Sequence, residues 1–228
     1  MKNRVIFILI FLQAVSSLAF SQPPLWRQKL QVTDLKNRDA GWVEVIVSST
    51  DTGYRTEVYS DTYLPFWFFT GISKTKEIEY YDRKNLPVES HLEIVSKPDR
   101  IFTIATKRTG DTLNLFWEFR KEGNKPVKTK VRSLKLKEDT VTPGNLWLQL
   151  TSRDLFNKNR YEFYLLDKFK LEYKKVIIST GEKKILNGKE IYKLHIDIGL
   201  FGNFNLYITR DYYVTDGKGM GIKVFPIK

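Results

Sequence analysis

The sequence predicts a mainly β protein: a strongly curved antiparallel sheet, forming a half-barrel or open barrel, with a short helical or loop segment around residues 145–158. Three observations carry this. From residue 42 onward, short stretches of alternating apolar and polar residues are divided by clusters of Asp, Asn, Gly and Pro, the pattern of an antiparallel all-β chain. About ten such stretches occur, and a sheet of that size curls rather than lying flat. Only one segment, 140–161, breaks the alternation.

The first hairpin is read from WVEVIV (42–47) and YRTEVYS (54–60), joined by SSTDTG. KEIEYYD (76–82), the turn RKNLP and VESHLEIVS (88–96) form a second, with Ile78 and Tyr80 on one face and Leu92 and Ile94 on another. RIFTIATK (100–107) and TLNLFWEFR (112–120), joined through RTGD, form a third. In 140–161, Pro143 and Gly144 precede Leu146, Trp147, Leu148 and Leu150, a pattern that suits a short helix. Strands resume at 161–167, 169–179, 190–199, 204–211 and 221–227. The Gly-rich run DGKGMGIK (216–223) lacks the spacing of a phosphate loop and leads into a strand, so it reads as a turn or bulge. EIEYYDRKNLPVES and NLYITRDYYVTDGK echo each other as strand, charged turn and strand.

Lys2 and Arg4 precede an apolar run from Val5 to Leu12 and then QAVSSLAFSQ, the order of a secretory signal. Ala19 and Ser21 place cleavage after Ser21, leaving one domain, 22–228, with no Pro, Gly or Ser-rich linker to divide it. The chain has no cysteine, which rules out both a disulfide framework and lipid attachment through cysteine. The expected compartment is therefore a bacterial periplasm, with the protein not lipid-anchored.

The formal net charge is +12. A basic exported protein is drawn to anionic membrane surfaces, and export removes nucleic acid as a partner. The densest basic stretch, 121–137, carries Lys125, Lys128, Lys130, Arg132, Lys135 and Lys137. These are candidates for docking to a membrane or an acidic partner, set against the plainer reading of a solvated hairpin face.

Reactive groups are sparse. The two histidines, His91 and His195, sit on the charged sides of alternating strands and share no ligand motif, so no metal site, cofactor or catalytic residue is assigned. Aromatic residues, by contrast, make up 14% of the chain. YLPFWFFTG (63–71) holds five rings in seven positions, and Pro65 and Gly71 place it at a strand end or loop on the barrel rim.

The order NLWLQL, RYEFYLLD, EKKILNGKEIYKLHIDIG and NFNLYITRDYYVTDGKGMGIKV, with YYDRKNLPVESHLEI earlier, resembles a family of exported bacterial proteins of unknown function. That family is similar in architecture to the LolA/LolB-like half-barrels that carry lipoproteins between membranes. The resemblance covers roughly residues 40–225 and implies a curved sheet around a helical or loop segment, with a lipophilic ligand in the hollow. Phe66, Trp67, Phe68, Phe69, Trp117, Trp147, Phe201 and Phe204 are the candidate lining. The same rings would equally fill a core. The expected function is binding of a lipid or other apolar ligand without catalysis, with a ligand-free envelope scaffold as the alternative.

Overall fold

The computed structural model describes residues 26–63, 72–96, 100–121, 126, 128–142, 144–153, 156, 160–199 and 202–227. The predicted leader lies outside them. Fifteen strands are present: β1 (Trp26–Asp34), β2 (Asp39–Thr50), β3 (Gly53–Tyr63), β4 (Ile72–Asp82), β5 (Pro87–Ser96), β6 (Arg100–Thr109), β7 (Thr112–Lys121), β8 (Lys128–Lys135), β9 (Thr140–Val141), β10 (Arg160–Asp167), β11 (Glu172–Leu186), β12 (Lys189–Asp197), β13 (Asn203–Thr209), β14 (Val214–Gly219) and β15 (Ile222–Pro226). Among the described residues the one α-helix is α1 (Leu146–Ser152), inside the predicted 145–158 segment.

All strands join one sheet, in the order β8-β7-β6-β5-β4-β3-β2-β1-β15-β14-β13-β12-β11-β10-β9. Every neighbouring pair is antiparallel except β9 with β10. Two meanders, β1 to β8 and β9 to β15, thus run away from a central pair in which Leu30 faces Pro226 and Val32 faces Val224. The sheet's two free edges, β8 and β9, are consecutive in sequence, so it curls without closing. β8 is exposed along its length except for half-buried Leu134, and its lysines blunt an edge that would otherwise template another strand.

The predicted hairpins β2–β3, β4–β5 and β6–β7 are present, and several turns of the sheet share one chemistry. In three of them a side chain at the first turn position accepts from a later backbone N–H, and a residue with positive φ ends the loop. Asp34 Oδ1 accepts from Lys36 N and Arg38 N, with Asn37 at φ 63°. Asp82 Oδ1 accepts from Lys84 N and Leu86 N, with Asn85 at φ 61°. Thr209 Oγ1 accepts from Tyr213 N, with Tyr212 at φ 63°. This is the three-residue hairpin loop, and it makes the echoing segments two copies of one local solution.

Three readings are corrected. There are fifteen strands rather than about ten: β1, β8 and β9 were not read as strands, and residues 214–219, taken in part for a turn, form β14. Gly217 is there for close packing, since a Cβ would stand 2.6 Å from Leu206, 2.7 Å from Val224 and 2.9 Å from Phe204. Residues 168–171 belong to a turn, because Asp167 Oδ1 accepts from Phe169 N and Lys170 N and Leu171 adopts φ 55°. β11 therefore begins at Glu172.

The largest core cluster draws on Leu30, Val43, Val45, Phe163, Ile178, Leu194 and Leu206, with Leu146, Leu148 and Leu150 of α1 among them. The second meander thus packs around α1 and is apolar inside. The interior of β3 to β6 differs in kind.

Candidate functional site

Antiparallel register places side chains of neighbouring strands in transverse rows, and three rows line the concave face of the first meander. The row nearest the rim runs Ser60, Thr75, Ile94, Phe102, Phe119, Lys128. The next runs Val58, Glu77, Leu92, Ile104, Trp117, Lys130, and the third Thr56, Glu79, Ser90, Thr106, Leu115, Arg132. Each row passes from buried groups, polar in two rows of β3 and in all three of β4, to an exposed cation on β8.

Glu77 and Glu79 are each 1% exposed although both side chains are acidic. Their partner is Lys168, 2% exposed, which the β10–β11 turn carries across the interior. Lys168 Nζ donates to Glu77 Oε1 at 2.6 Å, to Glu79 Oε1, and to Ser90 Oγ at 3.1 Å. Phe169 packs with the cluster of Leu92, Ile94 and Ile104, alongside Phe102 and Trp117. Leu171 joins Leu113, Leu115 and Leu166. One turn of the second meander is thereby seated in the first.

Glu79 is the better satisfied carboxylate. Its Oε2 accepts from the Tyr81 hydroxyl, from Thr142 Oγ1 at 2.8 Å and from Gly144 N at 3.1 Å. The segment that broke the alternation supplies two of these donors. Asn145 Nδ2 donates to Asn85 O at 2.6 Å, and Asn85 Nδ2 to Leu148 O at 3.0 Å, tying α1 to the β4–β5 turn. A Cβ at Gly144 would overlap the Glu79 carboxylate and the Tyr81 hydroxyl and stand 2.6 Å from Thr56 Oγ1. Gly144→Ala is expected to lower stability by about 1–3 kcal/mol, by overpacking; urea unfolding of the purified variant reads it directly.

Glu77 has Lys168 on one oxygen only; among the described residues its Oε2 has no partner. Burial pushes its carboxyl up to about 7, opposed by the charge of Lys168 and reinforced by that of Glu79. Burial works against the charge on Lys168, but attraction to Glu77 and Glu79 outweighs it and the ammonium is held above its ordinary range. Burial, and then Glu79, push the Tyr81 hydroxyl well up.

The candidate lining residues separate. Phe66, Trp67, Phe68 and Phe69 lie outside the described residues, as does Phe201. Residues 64–71 lie between β3 and β4 in the sequence. Trp147 falls in α1. Phe204 is 0% exposed and belongs to the apolar core. Trp117 faces the concave side and is half-buried. Phe102 and Phe119, missed from sequence, join it there: their centroids lie 4.8 Å apart, and Phe102 stands 6.0 Å from Trp117. The alternation IFTIAT puts Phe102 on the face of Ile104, a signal that was available.

The basic stretch separates too. Lys125 lies outside the described residues. Lys128, Lys130 and Arg132 project from the concave side of β8, with Lys130 Nζ 5.5 Å from the centre of the Trp117 ring. Lys135 points the other way, 3.9 Å from Asp111, and Lys137 lies 3.6 Å from the centre of the Tyr164 ring. His91 is exposed, and His195 Nδ1 lies 3.1 Å from Asn205 Oδ1. An open cleft of about 510 Å³ at the opposite end is lined by Thr52, Asp82, Arg83, Arg108 and Asp111 among others, but its Arg108 is paired with Asp82 at 2.8 Å.

No protein-family profile and no curated protein matches the sequence. Among solved structures it is similar to a β-barrel-like protein of a domain of unknown function, DUF1849, from Brucella abortus. The two are 11% identical with a TM-score of 0.61, over 90% of this chain and 96% of that one. At that identity the likeness is one of fold: a bacterial barrel-like domain of unknown function has the same architecture.

Proposed function

We propose that the chain is an exported, non-enzymatic envelope protein that binds a lipid or other apolar ligand on the concave face of its sheet. The observation that supports this best is the strip of half-buried rings Phe102, Trp117 and Phe119 on that face, between a buried interior and an exposed cationic edge. Binding sites for apolar molecules are concave and mostly apolar with few polar groups, which describes this strip. The N-terminal pattern of Lys2, Arg4 and the apolar run supports export to a periplasm. Lys128, Lys130 and Arg132 suit the edge of the concave face to an anionic membrane surface.

Protein purified from a bacterial host and extracted with organic solvent is expected to release about one apolar molecule per chain, identified by mass spectrometry. Phe119→Ser, at a half-buried position, should stay folded and lose that molecule. A clean extract from the unaltered protein overturns the reading.

A further inference from the structure

Beside the ring strip, the rim end of β3 and β4 holds a set of buried polar atoms with nothing to bond. Ser60 Oγ, Thr62 Oγ1, Thr75 Oγ1 and Glu77 Oε2 each lack a hydrogen-bond partner among the described residues, and the four side chains are 4%, 1%, 4% and 1% exposed. They share one face. Ser60 stands directly opposite Thr75, Thr62 is two residues along from Ser60, and Glu77 two along from Thr75. Facing side chains of a strand pair are about 5 Å apart and i,i+2 neighbours about 7 Å, so Ser60, Thr75 and Glu77 form one contiguous polar patch, and Thr62, four positions along the ladder from Glu77, extends it toward the rim.

Leaving a polar group buried and unpaired is unfavourable, and folded proteins avoid it unless water or a ligand completes the set. The shortage of donors compounds the deficit: two acidic side chains, Glu77 and Glu79, share one buried ammonium, Lys168. We infer that the patch of Ser60, Thr75 and Glu77 takes the uncharged, hydroxyl-bearing head group of the ligand. The Ser60 and Thr75 hydroxyls need acceptors and the free Glu77 oxygen needs a partner, and a diol or polyol donates and accepts from the same atoms. A carboxylate or phosphate head would bring no donor and would face Glu77. An ammonium head would bring no acceptor. The chain of such an amphiphile leads along the rim row from Thr75 past Ile94 to Phe102 and Phe119.

The inference rests on the proposed binding of an apolar ligand, and its test separates the two. Four probes of one chain length are titrated calorimetrically into the full-length mature protein: monooleoylglycerol, oleate, oleylamine and methyl oleate. Monooleoylglycerol is expected to bind at least about tenfold tighter than methyl oleate. In Ser60→Ala/Thr75→Val the difference should shrink to about twofold, while the free variant unfolds at a higher urea concentration because unpaired hydroxyls have gone. Equal binding of all four probes, preference for oleate or oleylamine, or a preference that survives the double substitution would leave apolar binding standing and overturn the head-group site. A variant less stable than the parent, showing that the hydroxyls serve the fold, overturns it also. Failure of every probe to bind overturns both readings.

Discussion

Lys168→Met is expected to lower the unfolding free energy by about 3–5 kcal/mol, the cost of leaving a buried ionic partner alone. The substitution keeps most of the side-chain volume and removes the cation that, among the described residues, pairs with Glu77 and Glu79 inside the sheet. It also removes a donor to Ser90. If the loss comes from stranded charge, Lys168→Met combined with Glu77→Gln and Glu79→Gln recovers about half of it or more, since neutral amides need no counter-ion. If the loss came only from packing of the β10–β11 turn, the triple variant would be no better than the single. Urea unfolding at pH 7, with all variants read at the same slope, decides between them.

The second large effect is a stability that rises toward mild acid. The folded-state pKa of Glu77, about 7, lies above its ordinary 4.5, so between those values the folded protein holds a proton that the unfolded chain does not. Its contribution is therefore most favourable below the ordinary value and is lost as pH rises through about 7. A shift of that size corresponds to about 3 kcal/mol. The groups facing Glu77 are Lys168 from the β10–β11 turn and Glu79 on its own strand. Lys168, raised, stays charged across this window and loses its contribution only at strongly alkaline pH. Other carboxylates act in the opposite sense at lower pH, so the quantity to measure is the difference between the parent and Glu77→Gln. That difference should favour the variant increasingly from pH 5 to pH 8 and then level off. A flat difference would mean that Glu77 titrates normally.

Both effects turn on residues whose meaning was hidden in the sequence. Alternation was legible wherever the inward residues were apolar, as in Leu92 and Ile94 or Val43 and Val45, because burial and hydrophobicity then coincide. In KEIEYYD they part company. Ile78 and Tyr80, the natural choice for an inner face, turn outward, Tyr80 41% exposed, while Glu77 and Glu79 turn inward. Such a reversal is affordable only if a cation arrives from elsewhere, and Lys168 comes from 89 residues away, a pairing no local pattern encodes. Turns were legible through Asp, Asn and Gly, yet the β10–β11 turn was mistaken for strand because its left-handed residue is a leucine. The ring strip was half visible: Trp117 was named and Phe119, two residues on in the same strand, shares its face by alternation, but only the β6–β7 register brings Phe102 beside them. Breaks in local rules of this kind concentrate where a protein does something besides fold.

The pairing of β1 with β15 bears on the order in which the chain assembles. Every other ladder joins segments close in sequence, whereas this one brings together the two ends of the described chain. Closing a loop some ten times longer adds about 2 kcal/mol of chain entropy to the barrier before any contact repays it. The two meanders are accordingly expected to form as separate ribbons, with the central ladder zipping last. Lys168 can reach its carboxylates only when both ribbons are in place, so the buried charges of β4 remain hydrated until the final step and act as a lock on completed assembly.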